Sequence, residues 1–458
     1  MVADEALAIL DRLLPDYGLS NLQETVFCQV WEGKTYAEIA EACSYEHSYI
    51  RDVGFRLWQE LSAALGQKIS KSNVKAVLSR YGRNAQPPAP LGAGRSTEPT
   101  GNTSGLPLES PTGPVPLHSS FYIERPPVEA QTYREVLQPG SLIRIKAPHF
   151  RGKTSLLRRI LAHGHAHGLQ TVTLSLHRAD RAIFTELDRF LRWLCANLSY
   201  QLGIEPRLDD YWNADLGSKV SCTVYIEAYL LGQCGDVAIA LDNLDILFGF
   251  PDLCREFLPL LRTWYEDARE LPTWRRLRWI LVYATNEYVP LQIHQSPFNV
   301  GLAIRLPEFT TSQIQDLAQR HGLEVGDDIS TLEPLIQMVG CCPGLVRMAL
   351  FHLAQGTLTM AQLMRTAPTL AGIYSHHLRQ LLAALSPHPD LQATYQAMVT
   401  AAGAVTMDPV MAYRLDSLGL IQLDGNQARP ACDLYRQYFS TFLPVDPALF
   451  AREQIEVS

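Results

Sequence analysis

Short apolar runs and helical apolar stripes alternate through the middle of the chain, and their order predicts its layout. Ser141 to Ile145, Gln170 to Leu176, Asp236 to Asp242, Leu277 to Ala284 and Ala303 to Leu306 each read as a buried strand. Helical periods stand between them, with Leu156, Leu157 and Ile160 on one stripe after the first run. A long helix is predicted over Ala182 to Leu202, with Phe184, Leu187, Leu191 and Leu194 inward. Strands separated by helices predict an α/β fold with a doubly wound parallel sheet and its ligand at the carboxyl ends of the strands.

The flanks are patterned differently. Residues 1–82 read as a separate all-α domain: Leu7, Leu10 and Leu14 mark an opening helix, and Leu22, Val26 and Val30 a second. Thr35 to Glu38 form a capping box for a short helix through Ala42, and Glu46 to Leu61 give a longer one with Ile50, Val53, Leu57 and Leu61 inward. That order is a helix-turn-helix, with His47, Ser48, Arg51 and Asp52 at the groove-facing positions. Residues 83–118, rich in Pro, Gly, Ser and Thr, predict a flexible linker. The strands belong to a core over 119–308, and residues 309–386 to a helical lid whose first helix Thr310 or Thr311 caps. Residues 387–445 give helix, helix, hairpin around Asp424-Gly425 and closing helix, which is a winged helix; 446–458 form a tail.

Composition narrows the classes. With 458 residues, 47% of them apolar, the chain can bury several cores. It has no apolar run of the roughly 20 residues that cross a bilayer, and Met1 to Pro15 lacks the basic start of a leader; a soluble, cytoplasmic protein with no membrane partner is expected. The nine cysteines form no C-x-x-C pair, which suits free thiols in a reducing compartment. A net charge of −8 excludes the whole chain as an electrostatic nucleic-acid binder. Residues 1–82 carry eight Lys/Arg against eleven Asp/Glu, with Lys68, Lys71, Lys75 and Arg80 as a local basic cluster. DNA binding through 1–82 and docking to a protein partner both stay open.

The chemistry concentrates after the first strand. In SLIRIKAPHFRGKTSLLRR, Ala147 holds the first-glycine position of G-x-x-x-x-G-K-[ST], and Gly152-Lys153-Thr154-Ser155 lead into a helix. Such a loop points backbone N–H groups at a β-phosphate, with Lys153 adding a charge for the β- and γ-oxygens and Thr154 a hydroxyl for Mg²⁺. ATP and Mg²⁺ are the expected cofactors. Asp242, ending a strand, is the second Mg²⁺-associated group. Asn243 occupies the next position, where hydrolysis calls for Glu; an amide cannot take a proton, so slow or absent turnover is expected, unless Asp245 is turned inward. Thr285 and Asn286 stand at a strand tip where a polar sensor meets the γ-phosphate, and Arg125 and Pro126 where many P-loop domains contact the base. Pro343 opens a lid helix where nucleotide state is felt. Arg275, Arg276 and Arg278 include a candidate arginine finger for a neighbouring subunit in a homo-oligomer.

The stretches FYIERPPVEAQTYREVLQPGSLIRIKAPHFRGKTSLL, FLRWLCANLS, LDNLDILF, QSPFNVGLAIRLPEFT, DLAQRHGL and LDGNQARPACDLYRQYF resemble the AAA-like domain of cyanobacterial signalling ATPases of the STAND class, relatives of AAA+ machines. The resemblance runs from about Phe121 to Phe442, and residues 1–82 resemble the helix-turn-helix domain that accompanies such proteins. It implies a P-loop NTPase that works as an ATP-dependent switch in signalling or defence, oligomerising or releasing a partner as nucleotide changes. Ala147 is common in that family, whereas Asp242-Asn243 replaces its usual Asp-Glu and Cys341-Cys342-Pro343 its Gly-x-Pro. A DNA-targeted regulator and a decayed ATPase serving as a scaffold are the alternatives.

Overall fold

The computed structural model describes residues 108–284, 296–325 and 329–443 and, within the first hundred residues, 21–31, 33–43 and a set of positions from 50 to 78. These fall into two units, 1–101 and 102–458. In the first unit, helices α1 (Asn21–Trp31) and α2 (Tyr36–Cys43) pack Val26, Phe27 and Ile39 against Ile50, Leu57, Trp58, Leu61, Val74 and Leu78. The capping box forms as its spacing predicts: the Glu38 carboxylate accepts from Thr35 N–H at 2.7 Å, and Glu38 N–H donates to Thr35 Oγ1 at 3.3 Å. Arg51 is exposed; Leu7, Leu10, Leu14, His47, Ser48 and Asp52 lie outside the described residues.

The second unit holds the parallel sheet: β1 (Leu142–Lys146), β2 (Gln170–Ser175), β3 (Val237–Asp242), β4 (Leu277–Tyr283) and β5 (Leu302–Arg305), ordered β2-β3-β4-β1-β5. Its register aligns Ile143 with Ile280 and Leu302, and Leu174 with Leu241. Alternate residues serve opposite faces. Ile143, Ile145, Ala238, Ala240, Ile280, Val282 and Ile304 join Leu156, Leu157 and Ile160 under α3 (Val128–Val136) and α4 (Lys153–Ala166). Leu142, Val172, Leu174, Ile239, Leu241, Trp279 and Leu281 point the other way, onto α5 (Leu187–Leu202), α6 (Gly217–Val224) and α7 (Pro251–Glu270). Helices thus cover both faces, which explains strands that read as continuous apolar runs.

The predicted helix over Ala182 to Leu202 is shorter. Arg181–Phe184 make a 3₁₀ turn and α5 begins at Leu187, because Phe184 is drawn sideways onto Phe190 and Phe250, at 6.0 and 5.2 Å between ring centres. The stripe that placed Phe184 on the helix is a tertiary contact.

Behind the sheet come α8 (Thr311–Arg320), α9 (Glu333–Val339), α10 (Pro343–Ala354), α11 (Met360–Thr366) and α12 (Ser375–Leu385). Thr310 and Gln313 form the capping box of α8. A winged helix follows: α13 (Pro389–Thr400), β6 (Val405–Thr406), α14 (Pro409–Leu418), the hairpin β7 (Ile421–Asp424) and β8 (Gln427–Pro430), and α15 (Asp433–Phe442). Lid and wing share one apolar core, in which Leu345, Leu378, Tyr395, Leu434 and Phe439 meet Phe121 and Ile123 from the entry to the sheet.

Residues 108–118, which composition assigns to the linker, are held against this unit. Arg159 on α4 donates to the carbonyls of Val115 at 3.1 Å and Pro116 at 2.7 Å, and its guanidinium lies 3.5 Å from the Tyr122 ring centre. Arg347 donates to Ser110 O at 3.1 Å. Prolines that disfavour helix and strand still pack well when buried cations satisfy their carbonyls. No helix among the described residues is long and apolar enough to cross a membrane.

Candidate functional site

The carboxyl edge of the sheet opens into a cavity of about 290 Å³. Its floor is the loop from Ala147 to Gly152. Gly152 sits at φ 86°, ψ 24° as the N-cap of α4, a left-handed position that glycine adopts without strain, and a Cβ there would come 3.4 Å from the Arg125 guanidinium. Beyond it the first-turn N–H groups of α4 face the cavity mouth, the arrangement that receives a phosphate.

Lys153 is folded under this loop. Its Nζ donates to the carbonyls of Ala147 at 2.7 Å and Pro148 at 3.0 Å, and burial lowers its pKa to about 8. Both bonded partners are neutral carbonyls, and a phosphate entering the cavity adds its counter-charge to those of Asp245 and Asp242. Thr154 Oγ1 lies 3.4 Å from Asp242 Oδ2. Asp242 is 6% exposed, and burial raises its carboxyl pKa. A hydroxyl and a carboxylate oxygen converging beside a phosphate cradle are a hard-oxygen donor set that fits Mg²⁺, whose part when bound is to draw charge from the phosphate oxygens.

The other predicted residues divide. Ser155 is present, but its hydroxyl accepts the Val115 N–H at 2.9 Å, leaving its backbone for a ligand. Arg125 lines the cavity from below: it is 3% exposed and donates to Arg151 O at 2.7 Å, bracing the loop. Pro126 is exposed and stands outside the cavity lining. Pro343 lines the cavity at the first turn of α10. Asn243 lines the cavity and holds φ 62°, and its Oδ1 accepts from Ser175 Oγ at 3.1 Å, so β2 takes up its amide oxygen. Thr285 and Asn286 lie outside the described residues. Arg275, Arg276 and Arg278 are engaged at the opposite end of β4: Arg275 donates to Arg269 O at 3.0 Å, Arg276 to Leu231 O at 2.6 Å, and Arg278 pairs with Asp236 at 2.9 Å. That commitment of donors does not suit the expected finger.

Sequence reasoning missed several residues of the cavity. Arg347, 5% exposed on α10, and His149 of the loop both line it, with Tyr122, Phe309 and Leu317 as apolar wall. The pKa of His149 is lowered by burial and then by Lys153, so it presents a neutral ring. The segment 108–118 contributes Pro111, Gly113, Pro114 and Val115. Phe150 holds φ 63°, which only a few non-glycine residues tolerate. Its carbonyl accepts the Gly344 N–H at 2.9 Å, and its ring meets His377 at 4.6 Å, whose Nε2 lies 2.8 Å from Tyr435 Oη. No periodic pattern announces any of these, since each depends on a partner far along the chain.

Comparison with known proteins agrees with this geometry. Residues 110–441 match the family described as AAA-like domain, and residues 1–81 match the N-terminal helix-turn-helix of vWA-MoxR associated proteins. Among curated proteins no match is found. The Walker-type ATPase of Pyrococcus abyssi is similar in structure, with a TM-score of 0.51 at 14% identity over 69% of this chain and 96% of that one. The ORC2 protein of Aeropyrum pernix in its ADPNP–ADP complexes gives a TM-score of 0.42 at 16% identity, over 71% and 94% of the two chains. At 14% identity the likeness to the Pyrococcus protein speaks for the fold alone. With the matched region spanning most of its length, this chain belongs to the AAA-like domain family of P-loop ATPases.

Proposed function

We propose that the protein is an ATP-binding regulatory switch of the STAND kind, working in the cytoplasm in signalling or defence. Lys153, Gly152 and the first turn of α4 hold the phosphates, and Thr154 and Asp242 hold Mg²⁺. Hydrolysis is slow because Asn243, in the place of the usual acid, cannot accept a proton. Nucleotide state is passed to the helical domains and thence to a protein partner or a second copy of the chain.

One observation carries this reading. Phe150, inside the phosphate loop, is gripped on both sides by the lid and wing: its carbonyl by Gly344 and its ring by His377, which bonds to Tyr435 on the closing helix. A loop that reshapes around phosphate cannot do so without moving those partners. The test is hydrogen exchange on the full chain with Mg-ADP and with a non-hydrolysable Mg-ATP analogue. Altered protection in α12 and α15 between the two is expected. Identical profiles, with both nucleotides bound, would overturn the switch.

A second reading makes residues 1–82 a DNA-targeting module, supported by the helix-turn-helix match of residues 1–81. Two of its cations are turned to its own rings: Lys71 lies 4.5 Å from the Tyr36 ring centre and Lys75 5.7 Å from that of Trp31. Fluorescence anisotropy against duplex DNA decides it, a steep fall of affinity with salt favouring the module and absence of binding at low salt excluding it.

A further inference from the structure

Attack on a γ-phosphate calls for a group that positions water and takes its proton. Asn243 lines the cavity, but its amide is not basic and cannot take the proton, and its oxygen is bonded to Ser175. The next acid along the chain is Asp245, on the 3₁₀ turn Leu244–Gly249 that follows β3. It lines the same cavity as His149, Lys153 and Thr154. Its Oδ1 accepts the Ala284 N–H at 2.9 Å, which fixes the carboxylate against the carboxyl end of β4. The carboxylate therefore shares the cavity with Lys153 and Thr154, held at the carboxyl ends of β3 and β4.

We propose that Asp245 is the water-positioning carboxylate of this site, standing in for the acid that Asn243 replaces; the inference rests on the reading of the cavity as an ATP site. The water oxygen forms a new bond to the γ-phosphorus, and the bond from that phosphorus to the β–γ bridging oxygen breaks with its electron pair leaving on ADP. The proton of the water passes to the Asp245 carboxylate and then to solvent. Products are ADP and inorganic phosphate, and ATP and water are the only reactants consumed.

The test compares full-length wild type with Asp245→Asn and Asp245→Glu. Asparagine keeps an oxygen for the Ala284 N–H, so the fold and Mg-ADP affinity are retained. Removing one negative charge beside the terminal phosphate should raise the ratio of ATP to ADP affinity about threefold or more, read by calorimetry. Phosphate release should fall at least about tenfold in Asp245→Asn and recover in part in Asp245→Glu, which a merely structural acceptor would not produce. Three results would overturn the role of Asp245: unchanged phosphate release in Asp245→Asn, an unchanged affinity ratio, or a wild type that binds ATP and releases no phosphate. All three leave the ATP site standing. A wild type that binds no nucleotide overturns the site and the inference together.

Discussion

Lys153 gives a quantitative test of the claim that the phosphate loop holds a desolvated cation. Burial lowers its pKa from 10.5 to about 8. The unfolded chain therefore holds the proton more tightly than the fold, and stability rises with pH across the interval between the two values. The destabilisation is full below pH 8 and gone above pH 10.5. At about 1.4 kcal/mol per unit it comes to about 3 kcal/mol at pH 7, of which about 2 kcal/mol is relieved by pH 9.5. Lys153→Met removes this destabilisation and also the hydrogen bonds to Ala147 and Pro148, worth about 1 kcal/mol each. Without nucleotide the variant should match wild type at pH 7 or slightly exceed it. The diagnostic quantity is the difference in unfolding free energy between variant and wild type, from urea denaturation at several pH values between 7 and 9.5. Titrating groups that do not feel Lys153 cancel in that difference. It should move by about 2 kcal/mol in favour of wild type as pH rises. A difference that stays constant, or a variant already about 2 kcal/mol weaker at pH 7, would refute the reasoning.

Three further outcomes follow from the same contacts. Gly344→Ala places a Cβ 2.6 Å from Phe150 Cδ1 and 2.9 Å from Phe150 O, which forces the loop to shift; Mg-ATP affinity measured by calorimetry should drop about tenfold or more while the lid core stays folded. Arg159→Met strips the carbonyls of Val115, Pro116 and Leu117 of their donor, and should cost about 2 to 4 kcal/mol and open residues 108–117 to limited proteolysis. Burial lowers the pKa of His377 from 6.5 to about 4, so below pH 6.5 the unfolded chain takes up the proton first. About 2 kcal/mol of stability should be lost between pH 7 and pH 5 through this group, a loss that His377→Gln should not show in the same denaturation series.

The sheet was legible because burial on both faces turns each strand into an apolar run, and the phosphate loop because its chemistry is local to a few consecutive residues. Asp242 could be read the same way, as an acid at the end of such a run. Residues 108–118 escape a reading by composition for a physical reason: proline, glycine and serine signal the lack of regular structure, and that says nothing of whether buried arginines such as Arg159 and Arg347 hold the backbone. Spacing alone puts Phe184 on the helix, whereas Phe190 and Phe250 decide its place. Arg347, His149 and the Phe150–His377–Tyr435 chain carry no signal in spacing, since they meet across the fold. The inward turn of Asp245 depends on the left-handed backbone at Asn243 and on Ala284, neither visible before the strands are assembled.

The central claim is that this cavity takes a nucleotide by its phosphates, and calorimetric titration of Mg-ATP into wild type and Lys153→Met, at pH 7 and matched salt, meets it most directly. Saturable one-to-one binding to wild type, weakened about a hundredfold or more in the variant, is the predicted result, since a charge-assisted contact to phosphate is lost. Equal affinity in both proteins, or no heat of binding at millimolar ATP in wild type, would contradict it.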